Sequence, residues 1–142
     1  GGTITGIGAY LKEKNPSIKI IAVQPQQNHL IQGLRNFEES AKPDLFIKRE
    51  NVVDDWITIT NEEAFVSVKE ILQKEKMLVS PSSATVYTAM KKYDITNGYA
   101  VGIFADDGRK FKSLYTQQKI FTEYEYESAL KNSIYISKIQ SA

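Results

Sequence analysis

The 142-residue chain contains no cysteine and a single histidine, His29. The first absence rules out disulfides and thiolate-bound metals, and the second leaves too few imidazoles for the usual histidine-based zinc centres. A dominant charge is missing as well. Eighteen Lys and Arg stand against 17 Asp and Glu, a net +1 at pH 7. The two signs are interspersed, so neither nucleic acid nor a membrane surface is expected as a partner. No run is long or apolar enough to span a bilayer and none reads as a signal peptide, which makes the cytoplasm the default expectation. What remains is 42% hydrophobic and 25% charged, the balance of one globular unit with a core.

Glycine, by contrast, is concentrated where it can matter. Gly1-Gly2-Thr3-Ile4-Thr5-Gly6-Ile7-Gly8 runs into an amphipathic segment that Asn15-Pro16 stops. A glycine-rich turn opening a helix brings free N–H groups and the positive end of the helix dipole to an anion. The spacing is neither that of a Walker loop nor a clean G-x-G-x-x-G, and a plain surface helix behind a flexible start is the competing reading. Ile4, Ile7 and Leu11 predict one apolar stripe, with Gly6 and Gly8 permitting close approach of a neighbour. Ile18, Ile20, Ile21, Ala22 and Val23 then read as a parallel strand covered on both faces. Gln24 and Pro25 follow, so the acidic residue that would take a dinucleotide ribose is missing.

Periodicity fails from Gln24 to Asn51, a length of loop that is more often functional than idle. Val52 to Thr60 predicts a β-branched strand, and Thr60 with Glu63 a capping box for a helix over 61–74. Ser80-Pro81-Ser82-Ser83-Ala84 opens another helix carrying Val86, Ala89, Met90 and Tyr93, with Ser82 and Ser83 as candidate N-caps. Residues 98–105 predict a further buried strand, followed by a turn at Asp106-Asp107-Gly108-Arg109. Beyond residue 113, the alternation around Phe121, Tyr124 and Tyr126, with Leu130, Ile134, Ile136 and Ile139 after it, suggests an edge strand or an arm over a partner.

Four of these segments, in order, resemble the cysteine synthases and cystathionine β-synthases, pyridoxal-phosphate enzymes of fold type II. They are Gly1-Gly2-Thr3 with its helix, Ile31-Gln32-Gly33, Val52 to Phe65, and Ser80 to Ala84 with the turn at Asp106. The resemblance implies an α/β fold of three layers, a mostly parallel sheet flanked by helices. It implies a cofactor-phosphate-binding domain over residues 1–113 and a C-terminal extension or arm over 114–142. The cofactor implied is pyridoxal 5'-phosphate, with its phosphate on Gly1, Gly2 and Thr3 and its ring nitrogen on Ser82. Ser80 and Ala84 stand where the family usually has glycines, and Ala105 and Asp107 where it has Pro and Ser.

A hydroxyl suits the position of Ser82 because a neutral partner leaves a pyridine nitrogen unprotonated, whereas a carboxylate would hold a proton on it. An unprotonated ring is the weaker electron sink and suits β-elimination followed by addition. By the same resemblance Gln32, Gly33 and Arg35 line the substrate. Arg35 is similar to the branch that takes O-phosphoserine, since a guanidinium fork matches a dianionic phosphate and a neutral acetyl ester needs none. The alternative is a solvated arginine paired with Glu38 or Glu39. Asp106 is expected no closer than a supporting position, and His29 is expected to be a surface residue rather than a base.

The family's Schiff-base lysine lies upstream of its phosphate loop, so no catalytic residue is expected in this chain. The expected activity is β-replacement on O-phosphoserine or O-acetylserine with sulfide, giving cysteine, by a homodimer in which a missing N-terminal half completes the site. A start inside the motif suggests a fragment. A non-catalytic, anion-binding half-domain and cystathionine β-synthase activity are the alternatives.

Overall fold

The computed structural model describes residues 1–134. Helix α1 (Gly2–Lys14) leads into strand β1 (Ile21–Pro25); a short helix α2 (Asp44–Ile47) precedes β2 (Asp55–Ile59), which runs into α3 (Asn61–Glu75). Helices α4 (Pro81–Lys92), α5 (Lys112–Gln117) and α6 (Glu123–Asn132) complete the α/β arrangement. The strands pair in parallel, Ile21 opposite Asp55 through Pro25 opposite Ile59.

Helix α1 stops at Lys14 with Asn15 extended as its C-cap, as the Asn-Pro pair predicts. Its buried face differs from the expected stripe. Thr5 and Gly8 are buried, while Ile7 is 43% exposed. A Cβ on Gly8 would lie 3.1 Å from Val52 and 3.3 Å from Ile20, so a glycine here lets the helix approach the strand end closely; Gly6 has nothing within 4 Å. Asp54 fastens this corner. Its carboxylate accepts from the backbone N–H of Ile20 at 2.7 Å and pairs with Lys12 at 2.7 Å. These contacts, Lys12 foremost, hold its carboxyl below the ordinary value.

The capping box of Thr60 and Glu63 is formed, and α3 buries Ala64, Ser67, Val68 and Ile71. Helices α3 and α4 pack on one another, and α4 also touches both strands. Between the helices Glu70 accepts from Lys74 at 2.7 Å, from Lys91, and from the Tyr87 hydroxyl at 3.2 Å. Hydrogen bonds from Lys74 and then Lys91 pull its carboxyl down to about 2. A carboxylate lowered on folding stabilises the native state above its unfolded pKa and loses that contribution as pH falls through the folded one. Glu70→Gln should therefore lower stability modestly at neutral pH, where the solvent-screened cluster contributes, and its denaturation midpoints should converge with those of the parent as pH falls from about 5 to about 2.

Two expectations are overturned. Residues 98–105 form no ladder among the described residues, and Tyr99 and Val101 are 100% and 90% exposed. The sequence has the continuous apolar run of a buried strand, but the described residues offer it no neighbouring strand to bond. The segment passes over α4 instead, where a Cβ on Gly102 would strike Met90 and Val86. Nor do residues 114–134 form an edge strand. Thr122 and Glu125 form a second capping box that starts α6. Phe111, Tyr115, Ile120, Phe121, Tyr126 and Ala129 share one core with Val68, Ile71, Leu78, Val79 and Ala84. Ile136 and Ile139 lie outside the described residues.

Two buried phenols close this part. Tyr115 donates to the Val79 carbonyl at 2.5 Å, and Tyr126 to those of Gly108 and Arg109 at 2.8 and 2.9 Å. Burial raises both phenols above their ordinary value. The segments they hold, Val79 and Gly108, lead directly to the candidate site.

Candidate functional site

Helix α4 begins with Ser80 as N-cap and Pro81 in its first turn; the Ser80 hydroxyl accepts from the N–H of Ser83 at 3.1 Å. The cap expected of Ser82 or Ser83 is therefore carried by Ser80, because only the residue before Pro81 keeps the extended backbone a cap needs. Ser82 stays free of that duty. It lies within a compact hydroxyl cluster: Ser80 Oγ is 3.1 Å from Ser82 Oγ and 2.9 Å from Ser83 Oγ. Ser83 Oγ donates to the main-chain carbonyl of Asp106 at 3.1 Å, and Ser82 Oγ reaches Asp106 Oδ1 at 3.5 Å.

The protons in this cluster can be assigned, since each hydroxyl has one to give. Ser83 gives its proton to the Asp106 carbonyl, which can only accept. The 2.9 Å contact between Ser80 and Ser83 must then use the Ser80 proton. Ser82 retains its own, which is directed at Ser80 or Asp106 or is available to a bound acceptor.

Gly33 is brought to the same place. A Cβ built on it would lie 3.9 Å from Ser82 Oγ, and its φ of +91° is one that glycine adopts without strain. The loop around it is pinned on both sides. Gln26 N donates to the Ile59 carbonyl at 2.8 Å, Asn61 N to Gln26 Oε1 at 2.9 Å and Leu30 N to Asn61 Oδ1 at 2.9 Å. These bonds tie the loop to the end of β2 and the start of α3. Ile31 is buried with Ile59, Ala64 and Ala89, and Leu34 packs on that cluster. Buried Asn36 donates to the Pro25 carbonyl at 2.8 Å. His29 serves the turn, its Nδ1 accepting from Ile31 N at 3.2 Å.

Gln32 and Arg35 are exposed on this pinned loop. The expected alternative, Arg35 paired with Glu38 or Glu39, does not occur among the described residues. Glu38 accepts from Gln27 Nε2 at 2.6 Å and Glu39 from Asn28 N at 2.6 Å.

Gly1 is the N-cap of α1, and Gly1, Gly2 and Thr3 are exposed. The N–H groups of Gly2, Thr3 and Ile4 precede the first helical bond, Thr5 N to Gly1 O at 3.1 Å, and so have no acceptor within the helix. Their support was not read from the sequence. A Cβ on Gly1 would come within 2.7 Å of the Phe46 ring, and one on Gly2 within 3.7 Å of Leu45, so α2 backs the turn. The available signal was the aromatic set Phe37, Phe46 and Trp56, whose rings meet at 4.9–5.9 Å.

The arrangement offers open helix-terminal amides for an anion, one redirectable hydroxyl proton at Ser82, and an exposed guanidinium on a loop that runs beside the serine. Among the described residues no group of His, Asp and Glu could hold a metal ion, and no helix is long and apolar enough to cross a membrane.

Comparison with known proteins matches residues 1–105 to a family described as pyridoxal-phosphate dependent enzyme. A cysteine synthase of Aquifex aeolicus (strain VF5) is 36% identical over 120 residues, covering 78% of this chain and 36% of that protein. An O-acetylserine dependent cystathionine beta-synthase of Bacillus subtilis (strain 168) is 35% identical over 99 residues, 65% of this chain and 32% of that protein. The crystal structure of an O-acetylserine dependent cystathionine beta-synthase from Helicobacter pylori superposes with a TM-score of 0.69 at 28% identity, covering 80% of this chain and 39% of the other. The chain thus spans roughly a third to two fifths of the length of these relatives.

Proposed function

From the premise that this chain belongs to the family of pyridoxal-phosphate dependent enzymes, we propose that it forms the C-terminal part of an enzyme replacing the β-substituent of an activated serine with sulfide, giving cysteine. The observation that carries this reading is the placement of Gly33 against Ser82, with Arg35 on the same loop.

The residues fit pyridoxal phosphate at two points. Open amides at a glycine-rich helix start can donate to a phosphate dianion, and a Cβ on Gly1 would displace that start from Phe46. The Ser82 proton suits the lone pair of a ring nitrogen. When bound, the cofactor supplies the electron sink for chemistry at the amino acid α-carbon. This chain's share is to hold and orient. The amides of Gly2 to Ile4 and the Thr3 hydroxyl bind the phosphate, and Ser82 sets the ring nitrogen. Gln32 and Gly33 border the substrate, and Arg35 receives a charged leaving group. The lysine that bears the cofactor comes from the remainder of the protein, as does the other wall of the pocket.

The test uses the complete protein. Added pyridoxal phosphate should produce a visible absorbance band, and O-phosphoserine with sulfide should yield cysteine. Ser82→Asp should raise the proton affinity of the ring nitrogen, alter that band and slow turnover. A parent protein that takes up no cofactor, or a Ser82→Asp variant with unchanged spectrum and turnover, would sink the reading.

A further inference from the structure

Asp106 enters the hydroxyl cluster twice, by its carbonyl to Ser83 at 3.1 Å and by its carboxylate to Ser82 at 3.5 Å. The first contact fixes the Ser83 proton and, through it, the Ser80 proton. Ser82 is left as the one hydroxyl able to turn, with Ser80 Oγ at 3.1 Å as an acceptor common to every Asp106 variant. The second contact places a carboxylate, which can only accept, beside that hydroxyl. The neighbouring carboxylate does not share this position, because Asp107 accepts from its own Arg109 at Nε, 2.8 Å, and pairs with the guanidinium at 2.5 Å. Tyr126 holds the carbonyls of Gly108 and Arg109, and Gly108 N donates to the Leu78 carbonyl at 2.8 Å. The turn that carries Asp106 is therefore fixed to the core rather than to solvent.

We propose that Asp106 is a positioning residue that competes with the cofactor's ring nitrogen for the single Ser82 proton. This rests on the functional reading above, in which Ser82 meets that nitrogen. When Ser82 donates to Asp106, its oxygen turns a lone pair toward the ring and favours a nitrogen that carries its own proton. When Ser82 donates to the ring, the nitrogen is left unprotonated. A serine alone selects the second state, and the carboxylate behind it shifts the balance toward the first. The chain would thereby hold a ring of intermediate electron demand, between that set by an isolated hydroxyl and that set by a directly bound carboxylate.

The experiment loads the complete protein with pyridoxal phosphate isotopically labelled at its ring nitrogen and records the nitrogen NMR shift, with the melting midpoint of each unloaded variant alongside. Asp106→Asn keeps the shape, removes the charge and can donate to Ser82, so the signal should move toward that of an unprotonated ring. Asp106→Glu should hold it near the parental position. In a Ser82→Ala background the Asp106→Asn change should no longer move it. Asp106→Ser repeats the test without the amide. A lowered melting midpoint with an unmoved signal assigns Asp106 a structural role and overturns the proposal, as does a shift that persists without Ser82. A parent protein that binds no pyridoxal phosphate overturns the functional reading together with this one. A loaded parent whose signal ignores Asp106 overturns this one alone.

Discussion

Replacing Phe46 with alanine is expected to cost about 3–5 kcal/mol of folding stability, the range for truncating a buried aromatic ring. The ring is 1% exposed on an otherwise exposed helical turn, with Leu45 and Ile47 at 55% and 54%. It is the only side chain of α2 that reaches the interior. It meets Phe37 at 4.9 Å and Trp56 at 5.8 Å, and such pairs add about 0.5–1.5 kcal/mol beyond their buried area. Against a total of about 5–15 kcal/mol for a domain, the loss is large. Phe46 also backs Gly1, so the variant should bind pyridoxal phosphate more weakly even where it remains folded. Phe46→Leu, nearer in volume, should cost less than Phe46→Ala while still losing both ring contacts, and should keep binding closer to the parent. Urea midpoints and cofactor titrations of the complete protein separate the two effects. A Phe46→Ala protein as stable as its parent would mean that α2 is not anchored through this ring.

Arg35→Ala should damage O-phosphoserine turnover selectively. Phosphoserine carries about two negative charges at neutral pH, and loss of a charge-assisted, bidentate contact costs about 1.5–3 kcal/mol, roughly ten- to a hundredfold in kcat/KM. The leaving group of O-acetylserine is an uncharged ester until it departs as acetate, so turnover of that substrate should stay near the parental value. The loop is held by Ile31 and Leu34 while Arg35 is exposed, and neither nearby glutamate takes it. Arg35→Lys keeps the charge but not the fork, and should recover only part of the loss. Equal falls for both substrates would make Arg35 structural. A parent protein indifferent to O-phosphoserine would place the enzyme in the O-acetylserine or cystathionine branch.

Local signals in the sequence predicted the fold well where a helix could satisfy them within itself. Thr60 and Glu63 announce α3 through bonds that span three residues, and Asn15-Pro16 ends α1 in the same way. Thr122 and Glu125 carry an identical signal for α6, but the alternating aromatics between Phe121 and Tyr126 masked it. Residues 98–105 show the opposite failure. A strand pattern expresses fitness for a half-buried pleated surface, and whether such a surface exists is decided elsewhere in the molecule. The candidate site divides along the same line. Ser82 and Gly33 could be marked from their motifs, but Gly33 meeting Ser82, Asp106 completing the hydroxyl cluster and Phe46 seating Gly1 are contacts between distant segments. The loop from Gln24 to Asn51 hid its order because side chains of Gln26, Asn36 and Asn61 bond to main chain, a pattern with no period to detect.

The uncovered run over residues 98–105 also bears on how the chain behaves at high concentration. It holds no charged residue, and Tyr99, Val101, Ile103 and Phe104 expose 100%, 90%, 49% and 38% of their surface. A short, uncharged, β-prone segment with open main-chain groups is a template for pairing with copies of itself. Produced by itself, the chain would therefore be prone to self-association through this stretch.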